Sequence, residues 1–307
     1  MKHNKADDVN GWLIIDKPRG MGSTEVVGKT RWLMHANKNG HTGTLDPFAT
    51  GVLPIAFGEA TKLISFVTDG DKEYEFVLKF GEQTSTDDTE GEVIASSDKI
   101  PSKEEVLAAT EQFVGEITQI PPAYSAIKID GKPAYKRVRK GENVEIPPRK
   151  VHIYALELLE YNSDSVKMRV KCSKGTYVRT LGKDLALALG TKGHLIELRR
   201  TKCGIFSLKD KILLDFLEKA EYIDERRKSL LPMETALRDI AELAVSAEDA
   251  IKLSMGQGLS ANKYGAKASD EAVAAMFDNC LIALVRIDEK KIQPIRVFNN
   301  LNLKKEK

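Results

Sequence analysis

Apolar positions along the chain change period several times. "GWLII" is a short unbroken apolar run that ends in "DKPRG". It predicts a strand from Trp12 to Ile15 that enters a Pro-Gly turn. Val26, Val27, Thr30, Leu33 and Met34 then recur at helical spacing, with Ser23 as N-cap and "NKNG" as the stop. "GVLPIAFGEATKLISFV" has room for a strand and a short helix. Tyr74, Phe76, Leu78 and Phe80 alternate with polar residues, which predicts a strand with one apolar face. "TSTDDTEG" reads as a polar loop. Ser102 and Glu105 form a capping box ahead of a helix that puts Val106, Ala109, Thr110 and Phe113 on one face. Val166, Met168, Val170 and Cys172 alternate with Lys167, Arg169 and Lys171, so one face is core and the other basic. "SKG" then turns the chain into a helix.

The pattern shifts near Pro232. "AVSAEDAIKLSMGQGLS" predicts a helix and a glycine turn, and "EAVAAMFDNCLIALVRIDEKKIQPIRVF" holds three short strand candidates. Such a stretch suits a small barrel-like domain. The expected division is 11–239 and 240–303, with a basic, proline-bounded insert near 124–150. A chain of 307 residues, 42% of them hydrophobic, has room for two cores.

Net charge is only +2, but it is unevenly spread. Asp71 to Glu116 carries 13 acidic and 4 basic residues, Tyr124 to Lys150 carries 8 basic and 3 acidic, and Lys167 to Lys202 carries 10 basic and 2 acidic. Separated charge of this kind can steer a polyanion despite a near-neutral total. The three cysteines, Cys172, Cys203 and Cys280, form no CxxC pair and no disulfide scaffold, and read as buried hydrophobes. "MKHNKADDVNG" lacks the apolar core of a signal peptide, and no apolar run approaches a membrane span. A cytoplasmic protein with no membrane association is expected.

The most unusual stretch is "GHTGTLDPFATG", Gly40 to Gly51. Asp-Pro pairs commonly make turns. "TGTL" is also found in phosphoryl-transfer sites with an Asp nucleophile, but there the Asp precedes the motif; here His41 precedes it and Asp46 follows. The Gly-Lys-Ser/Thr of a Walker loop is absent. An ionised Asp can attack an anomeric carbon. Glycosidases add a second carboxylate as acid, and no second acidic motif stands out here. Arg179, in "GTYVRT", is a candidate partner that would keep Asp46 ionised and oriented.

"GWLIIDKPRG", "GHTGTLDPFATGVLPIAFGEATK", "PPAYSAIKIDGKPAY", "CSKGTYVRTLGKDL" and "HLIELRRTKCGIF" stand in the order found in bacterial tRNA pseudouridine synthases, and residues 11 to 206 resemble the TruB family. The C-terminal region is similar to a PUA RNA-binding domain in "LSMGQGLS" and "IQPIRVF". The resemblance implies an α+β fold: a catalytic domain on a mixed, mainly antiparallel central sheet, plus a small β-rich PUA-like domain. It implies isomerisation of uridine 55 to pseudouridine in the TΨC arm of tRNA. Asp46 would be the nucleophile, Tyr74 would stack on the extruded base and take part in proton transfer, and Arg179 would pair with Asp46. Lys17, Pro18, His41 and Leu198 would contact substrate, and Lys128 would do so as part of the basic run Lys128 to Lys140, which with Lys167 to Lys202 would hold the RNA backbone. His41 would contact substrate near the rearranged tRNA loop, in a hydrogen-bonding rather than acid-base role. The chain departs from the family pattern at Gly22, where Thr or Ser is frequent; Ser23 remains as the capping hydroxyl. Both bonds exchanged lie within one nucleotide, so neither cofactor nor metal is expected. tRNA is the expected partner of a monomer that requires no other protein.

Two other readings fit much of this pattern. One is a tRNA-binding chaperone without catalysis. The other is a guide-directed relative acting on a different RNA. A glycosidase would release free base or sugar, whereas the isomerase keeps the nucleotide intact.

Overall fold

Trp12 and Ile14 point into one hydrophobic cluster while Leu13 and Ile15 point into another. Successive side chains of a strand face opposite ways, so "WLII" supplies two cores at once, one on each face of the sheet. The structure, a computed structural model, describes residues 6–299 except Ala126, Asp130, Arg139 and Asn143, with backbone alone at Lys128, Pro133, Tyr135 and Asp270. Among these residues a ten-stranded sheet forms the frame. Its main path runs Ile212–Leu213, Gly11–Lys17, Thr50–Phe57, Gly193–Cys203, Lys72–Phe80, Ser165–Cys172, Arg149–Tyr161 and Gly115–Gln119. Most neighbours are antiparallel; Gly11–Lys17 with Ile212–Leu213, and Thr50–Phe57 with Gly193–Cys203, are parallel.

The predicted alternation at Lys72–Phe80 is present. Phe76, Leu78 and Phe80 are buried, and Tyr74 packs half-buried against the same cluster. The helix Val178–Ala188 covers this face through Leu181 and Leu185. Gly182 makes that approach close, since a Cβ there would stand 2.7 Å from a Leu195 methyl. The Ser102–Glu105 capping box opens the helix Lys103–Glu111, with both reciprocal bonds made. The apolar stretch after Gly51 resolves into the strand Thr50–Phe57, a 3-10 turn at Gly58–Leu63 and a short helix at Ile64–Asp69.

The first helix starts differently from expectation. It runs Ser23–Leu33 with Gly22 as N-cap and no side-chain cap. Ser23 is buried in the first turn, and its hydroxyl is used elsewhere, on the loop before Asp46.

Within 124–150 the described residues form a hairpin, Lys128–Ile129 with Lys132–Pro133, and the short helix Ala134–Val138. Beyond residue 241 a separate five-stranded sheet appears, in the order Glu242–Ala244, Ser269–Phe277, Cys280–Ile287, Lys291–Val297, Leu259–Ser260. Its long hairpin turns at Asp278 and Asn279, whose φ values of 47° and 57° suit the short polar residues that tolerate the left-handed region. The sheet has its own core, which includes Leu253, Ile282 and Val285. Ala274, Leu281, Leu284 and Phe298 pack instead with Trp12, Leu63 and Val67 of the larger part. Each fully buried large apolar side chain contributes about 1.5–3 kcal/mol, so this seam joins the two units firmly.

Candidate active site

Asp46 sits on the loop between the short strand Asn39–His41 and the strand Thr50–Phe57. Backbone and side-chain bonds hold that loop from several directions. Ser23 Oγ donates to Leu45 O at 2.8 Å and accepts from Leu45 N at 2.7 Å. Gly20 N donates to Pro47 O. Thr68 Oγ1 donates to Thr42 O, and Arg200 Nη2 donates to Gly43 O. Gly51 ends the loop where nothing larger fits: its φ is +102°, and a Cβ would lie 2.2 Å from Arg200 O.

Arg179 enters from the first turn of the helix Val178–Ala188, with only 3% of its side chain exposed. Nη2 lies 2.9 Å from Asp46 Oδ2 and donates to Tyr124 O; Nη1 lies 3.3 Å from Asp88 Oδ2 and donates to Thr86 O. Asp88 is fixed in turn by Thr86 Oγ1 and the Glu90 amide. Burial lifts the Asp46 carboxyl above its ordinary range; Arg179 pulls it down, Asp88 pushes it up and Lys17 pulls it down. About a third of the Asp46 side chain stays accessible, and it faces two cavities. One, about 320 Å³, is walled by Tyr74, Leu198, Tyr177 and Arg149, at the small end of the usual range for ligand sites. The other, about 1060 Å³, is lined by Asp88, Glu90, Ser125 and Tyr124.

Tyr74 presents its ring to the smaller cavity. Burial pushes its hydroxyl up to about 12, so it stays protonated at neutral pH. Leu198 is 8% exposed and lines the same space. Behind them Arg200 is buried, with bonds to Val52 O and Gly43 O.

The other expected substrate contacts fall elsewhere. Lys17 is fully buried, and its ammonium donates to Pro18 O, Met21 O and Pro47 O. Burial lowers it to about 8, against the pull of Asp46 and Glu90. It braces the turn against the Asp46 loop and presents no free donor to a ligand, which corrects its expected role as a substrate contact. Pro18 is exposed beside it. His41 is half-buried outside the lining of both cavities, and its Nδ1 accepts from Gly43 N at 3.1 Å. Burial, with Arg200 nearby, lowers its pKa, so the neutral ring shapes the Gly43 turn. Lys128 lies in the insert hairpin, and its side chain falls outside the described residues.

Two further corrections concern charge. Sequence showed no second acidic motif, yet Asp88 stands across Arg179 from Asp46; its signal was the "DD" within a stretch read as solvent loop. The basic count of Lys167 to Lys202 also overstates free charge. Lys167 and Arg169 pair with Glu75, Lys174 with Asp69, Lys183 with Asp87, Arg199 with Asp16, and Arg179 with both aspartates. Gln119 was also missed. It is fully buried, and its amide brackets the Tyr177 peptide, donating to Tyr177 O at 3.2 Å and accepting from Tyr177 N at 3.0 Å. Among the described residues no group of three or more His, Cys, Asp or Glu side chains is placed to hold a metal, and no helix is long and apolar enough to cross a membrane.

The fold is similar to that of the solved Cbf5-Nop10-Gar1 complex, with a TM-score of 0.71, 27% identity, and coverage of 93% of this chain and 83% of that one. An H/ACA RNP structure with substrate RNA shares the fold at a TM-score of 0.72 and 24% identity, covering 97% and 93%. Residues 31–178 match the TruB family pseudouridylate synthase N-terminal domain, and residues 179–238 match the tRNA pseudouridylate synthase B C-terminal domain. The chain belongs to the TruB family. It is 45% identical to tRNA pseudouridine synthase B of Caulobacter vibrioides over 97% of this chain and 98% of that protein. It is 44% identical to the protein of that name from Rhodospirillum rubrum over 97% and 99%.

Proposed function

We propose that this chain converts uridine 55 of the tRNA TΨC arm to pseudouridine, with Asp46 as nucleophile. The observation that carries the reading is the ion pair of 2.9 Å between Asp46 and buried Arg179, beside a cavity walled by Tyr74 and Leu198. The target base leaves its stack, at a cost of a few kcal/mol, and enters that cavity. Tyr74 stacks on it, which offsets about 1–3 kcal/mol. Asp46, oriented by Arg179, forms a covalent bond at C1′ or at C6 of uracil. The N1–C1′ bond breaks, the base turns within the cavity, and C5 bonds to C1′; the bond to Asp46 breaks as C5 displaces the carboxylate from C1′ or, on the other route, as the carboxylate leaves C6 when the C5 proton is lost and the ring double bond re-forms. The C5 proton then leaves and N1 gains one, so substrate and product are isomers and no redox partner enters the balance.

The C-terminal unit, expected over 240–303 and described to residue 299 with its five-stranded sheet, is read as a PUA-like RNA-binding domain beside the catalytic domain, 11–239; residues 300–303 lie outside the described residues. The chain is read as a cytoplasmic monomer acting on tRNA; its relatives bear the name tRNA pseudouridine synthase B.

The test uses an unmodified tRNA transcript tritiated at uridine C5. Release of tritium that disappears when uridine 55 is replaced by cytidine is the expected result. Tight binding with no release by folded protein would favour the chaperone reading. Release from another RNA would move the target.

A further inference from the structure

We infer that Arg149, stacked on Tyr177 at the catalytic cavity, seats one backbone phosphate of the RNA next to the extruded nucleotide. This rests on the RNA-modifying reading above. Arg149 and Tyr177 both line the cavity that holds Asp46 and Tyr74. The guanidinium carbon lies 4.7 Å from the Tyr177 ring centroid, so the ring fixes the plane of the fork. Nη2 donates to Gly175 O, the one hydrogen bond Arg149 makes among the described residues. Gly175 permits this contact: its φ is +84°, and a Cβ there would stand 3.4 Å from the guanidinium carbon. Gln119 fixes the Tyr177 peptide from behind. The platform is therefore built in advance of any ligand.

What it lacks is an anion. Arg149 Nε is buried and has no acceptor. Arg179 Nε and Arg227 Nε share that lack, but both of those guanidiniums are paired with carboxylates. No carboxylate pairs with Arg149 among the described residues, whereas the other cations of the same cavity have their partners. Arg179 has Asp46 and Asp88; Lys174 has Asp69; Arg200 and Lys72 are buried on backbone carbonyls. Arg149 is half-buried and reachable. A planar, stacked guanidinium with unused donors fits the paired oxygens of a phosphodiester. A phosphodiester also accompanies every nucleotide brought to Asp46. A base edge would not need the positive charge.

The experiment measures binding of a set of tRNA arm oligonucleotides. Each carries one uncharged methylphosphonate linkage near the target, with a 2′-deoxy sugar on its 5′ side, beside a matched 2′-deoxy phosphate control. Wild type is expected to lose about tenfold in affinity at one linkage. Arg149→Ala should lose a similar factor on the control RNA and nothing further at that linkage, because both changes remove one contact. Its salt slope should fall by about 0.7, the share of one single-strand phosphate. Arg149→Lys, which keeps the charge but loses the stacked fork, should lie between the two, and it serves if the alanine variant fails to fold. Losses that multiply at every linkage, or binding by Arg149→Ala equal to wild type, would overturn the assignment. Tritium release by wild type from the unmodified RNA is the separate control; if that fails, the functional reading has failed and not the phosphate seat alone.

Discussion

Arg179 Nη2 lies 2.9 Å from Asp46 Oδ2, while the other terminal nitrogen of the same guanidinium lies 3.3 Å from Asp88. One cation therefore serves two carboxylates of unequal access. The Asp88 side chain is only 2% exposed and is held by Thr86 and the Glu90 amide; the Asp46 side chain is 32% exposed to the cavities. The buried carboxylate anchors the arginine, and the accessible one faces the cavities. A rigid fork that is already neutralised from behind cannot swing away when Asp46 changes charge.

Asp46→Asn keeps the shape of the loop and removes the nucleophile. Turnover is expected to fall by about a thousandfold or more, as for removal of a nucleophile that acts as part of a unit. tRNA affinity should stay within about threefold, because the RNA contacts are otherwise intact. Tritium release and filter binding on the same preparation check this. Near-normal release would remove Asp46 from the chemistry.

Asp88→Asn should shift the pH profile in a defined direction. Burial holds the Asp46 carboxyl above its ordinary range, and the Asp88 charge adds to that rise. On the proposed mechanism activity requires ionised Asp46, so the acid limb of kcat/KM would mark the Asp46 titration. Removing the Asp88 charge lowers the Asp46 pKa, and the limb moves to lower pH. The maximal rate should also fall, since Arg179 loses its anchor. A limb that stays in place or moves to higher pH would show that Asp88 does not act on Asp46 through charge.

The legible parts of this site were those written locally. Asp46 stands out because Gly40, Gly43, Gly51 and the threonines crowd around it. Strand alternation placed Tyr74 on an apolar face, and the resemblance carried its place in the site; Arg179 was a candidate partner from its basic segment, and the resemblance carried it too. Asp88 was not legible because its meaning comes from the fold, which brings the Thr84–Gly91 loop against a helix about ninety residues later. Arg200 counted as basic surface, yet a parallel strand pair buries it against Val52 and Gly43. Parallel pairing of segments so distant in the chain leaves no local periodicity to read. Ser23 was misread by one position: as an N-cap its hydroxyl would serve its own helix, whereas one residue inside the helix it is free to hold Leu45.

Gln119→Ala tests whether the Tyr177 peptide is held for catalysis. The substitution leaves the N–H of Tyr177 without its acceptor, while the C=O keeps the helix bond from Leu181 N. One orphaned donor costs about 1–3 kcal/mol, so a lower urea midpoint with unchanged m is expected. Tyr177 precedes Arg179 by two residues at the head of its helix, so kcat should fall as well, with KM little changed. Gln119→Glu keeps the acceptor for Tyr177 N but loses the donor, and should recover part of the activity. Full stability with lost activity, or the reverse, would separate the structural role from the positioning one.

Ser23→Ala carries the argument to the loop itself. Ser23 Oγ makes two bonds to one residue, Leu45, next to Asp46. Leu45 is itself buried at 4% exposure, so water does not readily replace the lost hydroxyl. A destabilisation of about 1–3 kcal/mol is expected, together with a drop in kcat as Asp46 loses its fixed distance to Arg179. Misplacement by about 1 Å can cost a hundredfold in rate, so the kinetic effect should exceed what the loss of folded protein explains. Ser23→Thr keeps the hydroxyl and should restore both bonds if the extra methyl is accommodated beside Leu45. Urea melts and tritium release on the three proteins give the comparison. A destabilised Ser23→Ala with wild-type kcat per folded molecule would mean that the Leu45 clasp supports the fold and does not set the position of Asp46.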